Sequence, residues 1–135
     1  RPLRGGFAGG YGQRVGCYHA GRDEANYPIV FHCIAGADRT GSLACILNGL
    51  LGVDADLLHR DWQYTWTGRD KPVEAPEKSW QSFMEVFDAY AGETLNDRIE
   101  AYVLACGITA DEIARFRAIM LGRAEVQKMQ NGECP

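Results

Sequence analysis

The stretch Ile29–Gly41 constrains the fold more than any other part of this 135-residue chain. Its first residues, Ile29–Phe31, form a short apolar run after a proline, which is typical of a strand buried on both faces. Apolar side chains then recur at helical spacing, at Leu43, Ala44, Ile46, Leu47, Leu50 and Leu51. Gly52 supplies a left-handed stop for this helix. The sequence therefore predicts a strand, a tight loop and a helix, with the loop over the helix N-terminus.

The loop has the composition of an anion-binding site. A loop wound over a helix N-terminus directs backbone N–H groups inward, and the helix dipole adds to their field. In comparable sites the pKa of a thiol falls to about 3.5–7.5, so we expect Cys33 to be a thiolate at neutral pH. Arg39 offers a planar fork that matches two phosphate oxygens. Gly36 permits a backbone conformation that a side chain would hinder. The hydroxyl of Thr40 is placed either to donate to the thiolate or to cap the helix.

These features together predict nucleophilic chemistry on phosphorus. A thiolate in an anion cradle, facing a bidentate cation, is arranged to form a cysteinyl-phosphate that water then hydrolyses. The alternative is that Cys33 is a small apolar core residue. The strand before the loop, the glycine within it, the Thr-Gly after it and the amphipathic helix are separate requirements of the motif, and all are met.

The segment His32-Cys33 through Arg39-Thr40-Gly41 resembles the H-C-x5-R-[ST]-G signature of the protein tyrosine phosphatase superfamily. Its form H-C-x-x-G-x-D-R-T-G is similar to that of a bacterial tyrosine phosphatase group, some of whose members act on serine/threonine phosphates or phosphoinositides. The similarity extends from Tyr27 to Asp61. Myotubularin-type lipid phosphatases also place Asp directly before this Arg. Rhodanese-like sulfurtransferases and arsenate reductases are alternatives, but their loops are normally shorter.

The resemblance implies a role for each loop residue. Cys33 would be the nucleophile and Arg39 would bind phosphate, while Thr40 would assist breakdown of the intermediate. His32 would orient the loop and tune the thiol, with Gly41 in support. The phosphate would lie against Ile34, Ala35, Gly36, Ala37, Asp38 and Arg39. Neither a metal nor a cofactor is implied.

The motif does not by itself identify the acid that gives a proton to the leaving oxygen. Most tyrosine phosphatases bring it from an upstream loop, often within Trp-Pro-Asp, and this chain has no such sequence. Asp38 lies inside the cradle and is our predicted acid. Alternatively, Asp38 accepts loop N–H bonds or pairs with an arginine, and the acid lies upstream. Asp23 is more easily a turn residue before the strand.

The implied fold class is α/β: a phosphotyrosine phosphatase-like fold with a central parallel sheet flanked by helices. This chain would carry the signature strand-loop-helix and the C-terminal helices. Residues 1–27 are rich in glycine, with room for a short helix around Gln13–Ala20 and a turn at 21–26. We therefore expect 1–135 to be the C-terminal catalytic part of one phosphatase domain. An upstream segment or a second chain would complete the sheet.

The remaining chain predicts helices separated by a loop at 67–75 and followed by a frayed tail at 123–135. The first helix runs from Ala55 to about Trp66 and is capped by Asp54. The second is opened by Pro76 and has a core stripe of Trp80, Phe83, Met84 and Phe87, and the third is stopped by Gly107 and carries Leu95, Ile99, Tyr102, Val103 and Cys106. The fourth runs from the capping box Thr109–Glu112 to about Leu121. Arg60 and Asp61 are candidate braces of the loop.

Composition limits the partners. A net charge of −4, a pI near 5.3 and the lack of a basic run argue against nucleic-acid binding. No 18-residue apolar stretch exists, so no membrane span is expected.

The substrate is predicted to be a phosphorylated protein or lipid. The small side chains of Ala35 and Ala37 add no lysine for a multiply charged headgroup, which favours phosphotyrosine. The alternatives are an inositol-phosphate or phosphoinositide phosphatase and a phosphate-binding module without turnover.

The five cysteines are an odd number without C-x-x-C pairs, so they do not indicate a metal site. A catalytic thiolate must stay reduced, which suits a reducing compartment such as the cytoplasm. A protective disulfide of Cys33 with Cys17 or Cys45 is an alternative.

Overall fold

The computed structural model describes residues 24–65 and 75–122. Within them lie a 3-10 turn at Glu24–Asn26 and the helices α1 (Asp38–Leu50), α2 (Ala55–Thr65), α3 (Ala75–Met84), α4 (Leu95–Ala105) and α5 (Ala110–Leu121). None of these helices is long and apolar enough to cross a membrane. The predictions for Gln13–Ala20, for the loop at 67–74 and for the tail at 123–135 lie outside the described residues.

The predicted strand at Ile29–Phe31 is not formed among the described residues. Positions 29–33 have no regular secondary structure, and Val30 is 86% exposed, so the expected burial on both faces is wrong for this segment. A strand exists through hydrogen bonds with a neighbouring strand, and the described residues offer no such neighbour. The parallel sheet is therefore not confirmed. A sheet completed by an upstream segment or a second chain stays a prediction.

The described residues fall into two units, one within 31–103 and the other made of 24–30 and 104–122. In the first unit α1 packs on α2, and α2 packs on α3. Its buried apolar side chains are Ala37, Leu43, Cys45, Ile46, Leu50, Leu58, Trp62, Trp80, Phe83, Phe87, Ile99 and Val103. The predicted core role of Trp80, Phe83, Met84 and Phe87 is confirmed, with Met84 half-buried and the three aromatic residues buried. Phe87 lies in the turn after α3, so the helix is shorter than predicted.

Aromatic rings join α2 to α3. Trp62 stacks on Phe83 with 5.1 Å between ring centroids, and its indole N–H donates to the carbonyl of Pro76 over 3.2 Å. Phe83 meets Phe87 edge-to-face at 5.2 Å. His59 stacks on Trp80 at 4.8 Å. Aromatic pairs in such arrangements stabilise a core by about 0.5–1.5 kcal/mol each beyond the area they bury. This packing fixes Trp62 in one orientation.

The predicted helix ends are largely confirmed. Asp54 caps α2 by accepting from the N–H of Leu57 over 2.9 Å. Gly52 and Gly107 follow α1 and α4 with φ of 86° and 95°, the left-handed conformation expected of a stop.

The second unit contains the predicted capping box. The hydroxyl of Thr109 accepts from the N–H of Glu112 over 3.3 Å, and the carboxylate of Glu112 accepts from the N–H of Thr109 over 2.9 Å. Ile108 and Ile113 are both buried, as a hydrophobic staple requires.

Asn96 secures the C-terminal end of α1, a contact that no sequence pattern predicts. Its side-chain amide donates to the carbonyls of Gly49 over 2.7 Å and Val53 over 3.0 Å. The last carbonyls of a helix lack intrahelical partners. Asn96 supplies a partner for two carbonyls at this end, and so ties α4 to the end of α1 opposite the loop.

We expect Asn96→Ala to lower the free energy of unfolding by about 1–3 kcal/mol, because the hydrogen bond to the carbonyl of Val53 and one of the two to the carbonyl of Gly49 are lost. Asn96→Asp has the same size but cannot donate when ionised, so it should destabilise at least as much. Urea denaturation measures both. Lys78→Ala, at an exposed position, is the control and should change stability by less than about 0.5 kcal/mol. An Asn96→Asp variant as stable as the parent would contradict this role.

Candidate active site

The loop from Cys33 to Ala37 turns the chain into α1. Gly36 has φ of 66°, in the left-handed region that side chains disfavour. The predicted reason for glycine at this position is therefore confirmed. Residues 34–36 are exposed, whereas Ala37 is 2% exposed, so the loop returns to the protein at Ala37.

The N-terminus of α1 lacks a side-chain cap. Its N-cap is Ala37, whose methyl group cannot accept a hydrogen bond, and no side chain caps the helix there. The first helical hydrogen bond runs from the N–H of Gly41 to the carbonyl of Ala37 over 2.6 Å. The alternative in which Thr40 caps the helix is therefore wrong. The free N–H groups of the first turn are left for another acceptor.

The sulfur of Cys33 is the acceptor for one of these groups, the N–H of Thr40. The pKa of Cys33 is lowered from 9.0 to about 6, chiefly by the Thr40 hydroxyl, with smaller contributions from the backbone N–H groups of Thr40, Ala35 and Gly36. Partial desolvation of the thiol acts in the opposite direction. The Thr40 hydroxyl is buried and makes no hydrogen bond in the described part of the structure, so its proton is free to turn toward the sulfur. At pH 7 Cys33 is accordingly mostly thiolate.

The charged residues of the loop are exposed. His32, Asp38 and Arg39 are all open to solvent, and their side chains make no hydrogen bond or ion pair with other residues of the described ranges. The backbone of Asp38 is fixed by the hydroxyl of Ser42, which donates to its carbonyl over 2.6 Å. The arginine pairing considered for Asp38 is thus not formed in the described part of the chain.

The ring of Trp62 packs against the first turn of α1 at Gly41. It is 4% exposed, and a Cβ at Gly41 would lie 3.6 Å from its ring, which is ordinary van der Waals contact. Arg60 and Asp61, the candidate braces in the sequence, are exposed. The residue that supports the loop is therefore Trp62, which directly follows these two in sequence but is buried.

Cys45, the other described cysteine of this unit, has a thiol pKa that is shifted in the opposite direction. Cys45 is buried on α1, and burial, followed by the negative charge of Asp61, raises the pKa of its thiol to about 12. Cys33 and Cys45 are both free thiols, so the protective disulfide is not formed. Cys45 is therefore inert where Cys33 is reactive.

We expect iodoacetamide to alkylate Cys33 with a pH midpoint near 6. Because folding lowers this pKa, the rate should be small below pH 5, rise through pH 6 and level off by pH 7. An ordinary thiol would rise only near pH 9. Mass spectrometry of the tryptic peptide Asp23–Arg39 isolates Cys33, and the peptide Thr40–Arg60, which contains Cys45, serves as the unmodified reference.

Removing the Thr40 hydroxyl should raise that midpoint. A hydrogen bond to a charged group contributes about 1.5–3 kcal/mol, so Thr40→Ala should shift the pKa of Cys33 upward by about one to two units. Thr40→Ser keeps the hydroxyl and is the matched control. Equal midpoints for Thr40→Ala and Thr40→Ser would show that the backbone N–H groups alone set the pKa.

Comparison with known proteins adds one finding. A family model described as the tyrosine phosphatase family matches residues 17–122 of the chain. The match covers the loop and all five described helices. Neither the curated proteins nor the solved structures yielded a match.

Proposed function

The chain belongs to the tyrosine phosphatase family, and we propose that it hydrolyses phosphomonoesters through a cysteinyl-phosphate intermediate on Cys33. The observation that carries the proposal is the position of Cys33 in a tight loop before the uncapped N-terminus of α1. There the Thr40 hydroxyl and three backbone N–H groups lower the pKa of the thiol to about 6. The thiolate, rather than the thiol, is the nucleophile in such reactions. Donors that stabilise a negative sulfur are also placed to stabilise phosphate oxygens once the substrate enters.

In the first step, the sulfur of Cys33 attacks phosphorus and the bond to the ester oxygen breaks. Arg39 binds two of the non-bridging oxygens, which its fork geometry suits. The ester oxygen takes a proton from an acid and leaves as an alcohol or phenol. In the second step, water attacks the phosphocysteine, inorganic phosphate departs and the thiolate is regenerated. Donation from the Thr40 hydroxyl stabilises the departing sulfur.

Asp38 is our proposed acid. It is the first residue of α1, adjacent to Arg39 in sequence, and its side chain is exposed without a partner in the described residues. A carboxyl group free of other contacts can reach the ester oxygen of a phosphate seated at the helix N-terminus. His32, directly before the nucleophile, is proposed to orient the loop. The reaction requires neither metal nor cofactor.

The proposed substrate is protein phosphotyrosine, with activity toward other phosphorylated residues or phosphoinositides as the alternative. The exposed loop contains no lysine that would favour a multiply charged headgroup. The small residues Ala35 and Gly36 leave the entrance of the phosphate-binding loop open to a planar ring.

We expect Cys33→Ser to lower kcat for p-nitrophenyl phosphate by about a thousandfold or more, because a hydroxyl does not ionise at neutral pH. The variant should still bind inorganic phosphate, as measured by calorimetry. Cys106→Ser, which changes a half-buried cysteine of the other unit, is the matched control and should retain activity. Turnover that survives Cys33→Ser, or that requires added metal, would reject the mechanism.

Asp38→Asn separates an acid from a structural residue. Losing the acid should lower kcat/KM for an alkyl phosphate by about 10²–10⁴, because the alkoxide needs the proton. The loss for p-nitrophenyl phosphate should be much smaller, since p-nitrophenolate leaves readily without it. Asp56→Asn, at an exposed site on α2, is the control. Equal losses for the two esters would mean that Asp38 is structural and that the acid lies elsewhere.

A further inference from the structure

Ile34 is the most exposed large apolar side chain of the described residues, and it directly follows the nucleophile. It is 95% exposed, although burial of an isoleucine side chain normally stabilises a folded protein. The other two exposed residues of the turn, Ala35 and Gly36, offer at most a methyl group. Ile34 is thus the one sizeable apolar group that the loop turn presents to solvent.

The position of Ile34 is set by the backbone around the sulfur. The N–H groups of Ala35 and Gly36 are directed toward Cys33, so the loop curls around the thiolate. In-line attack by this sulfur requires the ester oxygen to leave on the side of the phosphorus opposite to it, away from the floor of the loop. The organic part of the substrate must then pass the rim.

The rest of the rim is charged. Asp38 and Arg39 are exposed, and the proposed reaction assigns one to the ester oxygen and the other to the phosphate. Ala37 is buried and does not reach the rim. Among the described residues of the loop, the large apolar surface that remains for the organic group is the side chain of Ile34.

We propose that Ile34 is a specificity-determining residue that packs against the aromatic ring of an aryl phosphate and so favours phosphotyrosine over phosphoserine. The inference rests on the proposed function. An aliphatic side chain against a ring face removes apolar surface from water on both partners. A phosphoserine side chain, with one methylene group, is too short to make this contact once its phosphate is in the cradle.

The test compares substrates whose leaving groups are similarly acidic but differ in apolar area. For Ile34→Ala, kcat/KM for 2-naphthyl phosphate should fall about tenfold, mainly through KM, and that for phenyl phosphate should fall less. The preference for a phosphotyrosine peptide over the same peptide with phosphoserine should shrink by a similar factor. The inhibition constant of inorganic phosphate should not change, because phosphate has no organic group.

Val30→Ala is the matched control, since Val30 is also an exposed β-branched residue but lies outside the loop. Unchanged selectivity in Ile34→Ala would overturn the inference. So would an equal loss for every substrate together with weaker phosphate inhibition, because Ile34 would then shape the cradle itself. A parent protein without activity on any aryl phosphate would instead reject the proposed function.

Discussion

The structure around the loop depends on the unsatisfied N–H groups at the N-terminus of α1. A helix normally meets this need with an oxygen-bearing N-cap, and replacing that residue with alanine costs about 1 kcal/mol. This chain has Ala37 there, so its own side chains leave the positive end of the helix open. The sulfur of Cys33 becomes the acceptor for the N–H of Thr40. The lack of a cap therefore contributes to the acidity of the thiol, to which the Thr40 hydroxyl makes the largest contribution.

The arrangement holds only if α1 cannot move away from the loop. Trp62 lies against Gly41 at one end of the helix, and its ring is itself fixed by Phe83 and by the carbonyl of Pro76. Asn96 holds the carbonyls at the other end. Both ends of α1 are therefore tied to other helices of the same unit. Catalytic sites gain from such rigid support because donors that are already in place need no reorganisation when charge develops.

Much of the helical structure was predictable from sequence, because it is encoded locally. Gly36, the stop at Gly52 and the capping box at Thr109 each depend on residues within four positions of one another, and each is confirmed. The predicted strand at Ile29–Phe31 is not formed, because a strand is stabilised by a neighbouring strand that is often far away in sequence. The contacts of Asn96 with Gly49 and Val53, 47 and 43 residues away, left no local pattern for the same reason. The loop was recognised through its motif, but only the structure excluded helix capping by Thr40.

Cys33 and Cys45 show how far environment rather than residue type determines the chemistry. Both are free thiols in one unit, twelve positions apart, with pKa values of about 6 and about 12. Cys45 lies within α1, whose N–H groups are already occupied by helical bonds, and it meets apolar packing and the charge of Asp61. Cys33 lies before the first turn, where the N–H groups have no other acceptor. The Thr40 hydroxyl and the N–H groups at the open end of this helix thus favour the thiolate of Cys33, whereas burial in the middle of the helix favours the thiol of Cys45.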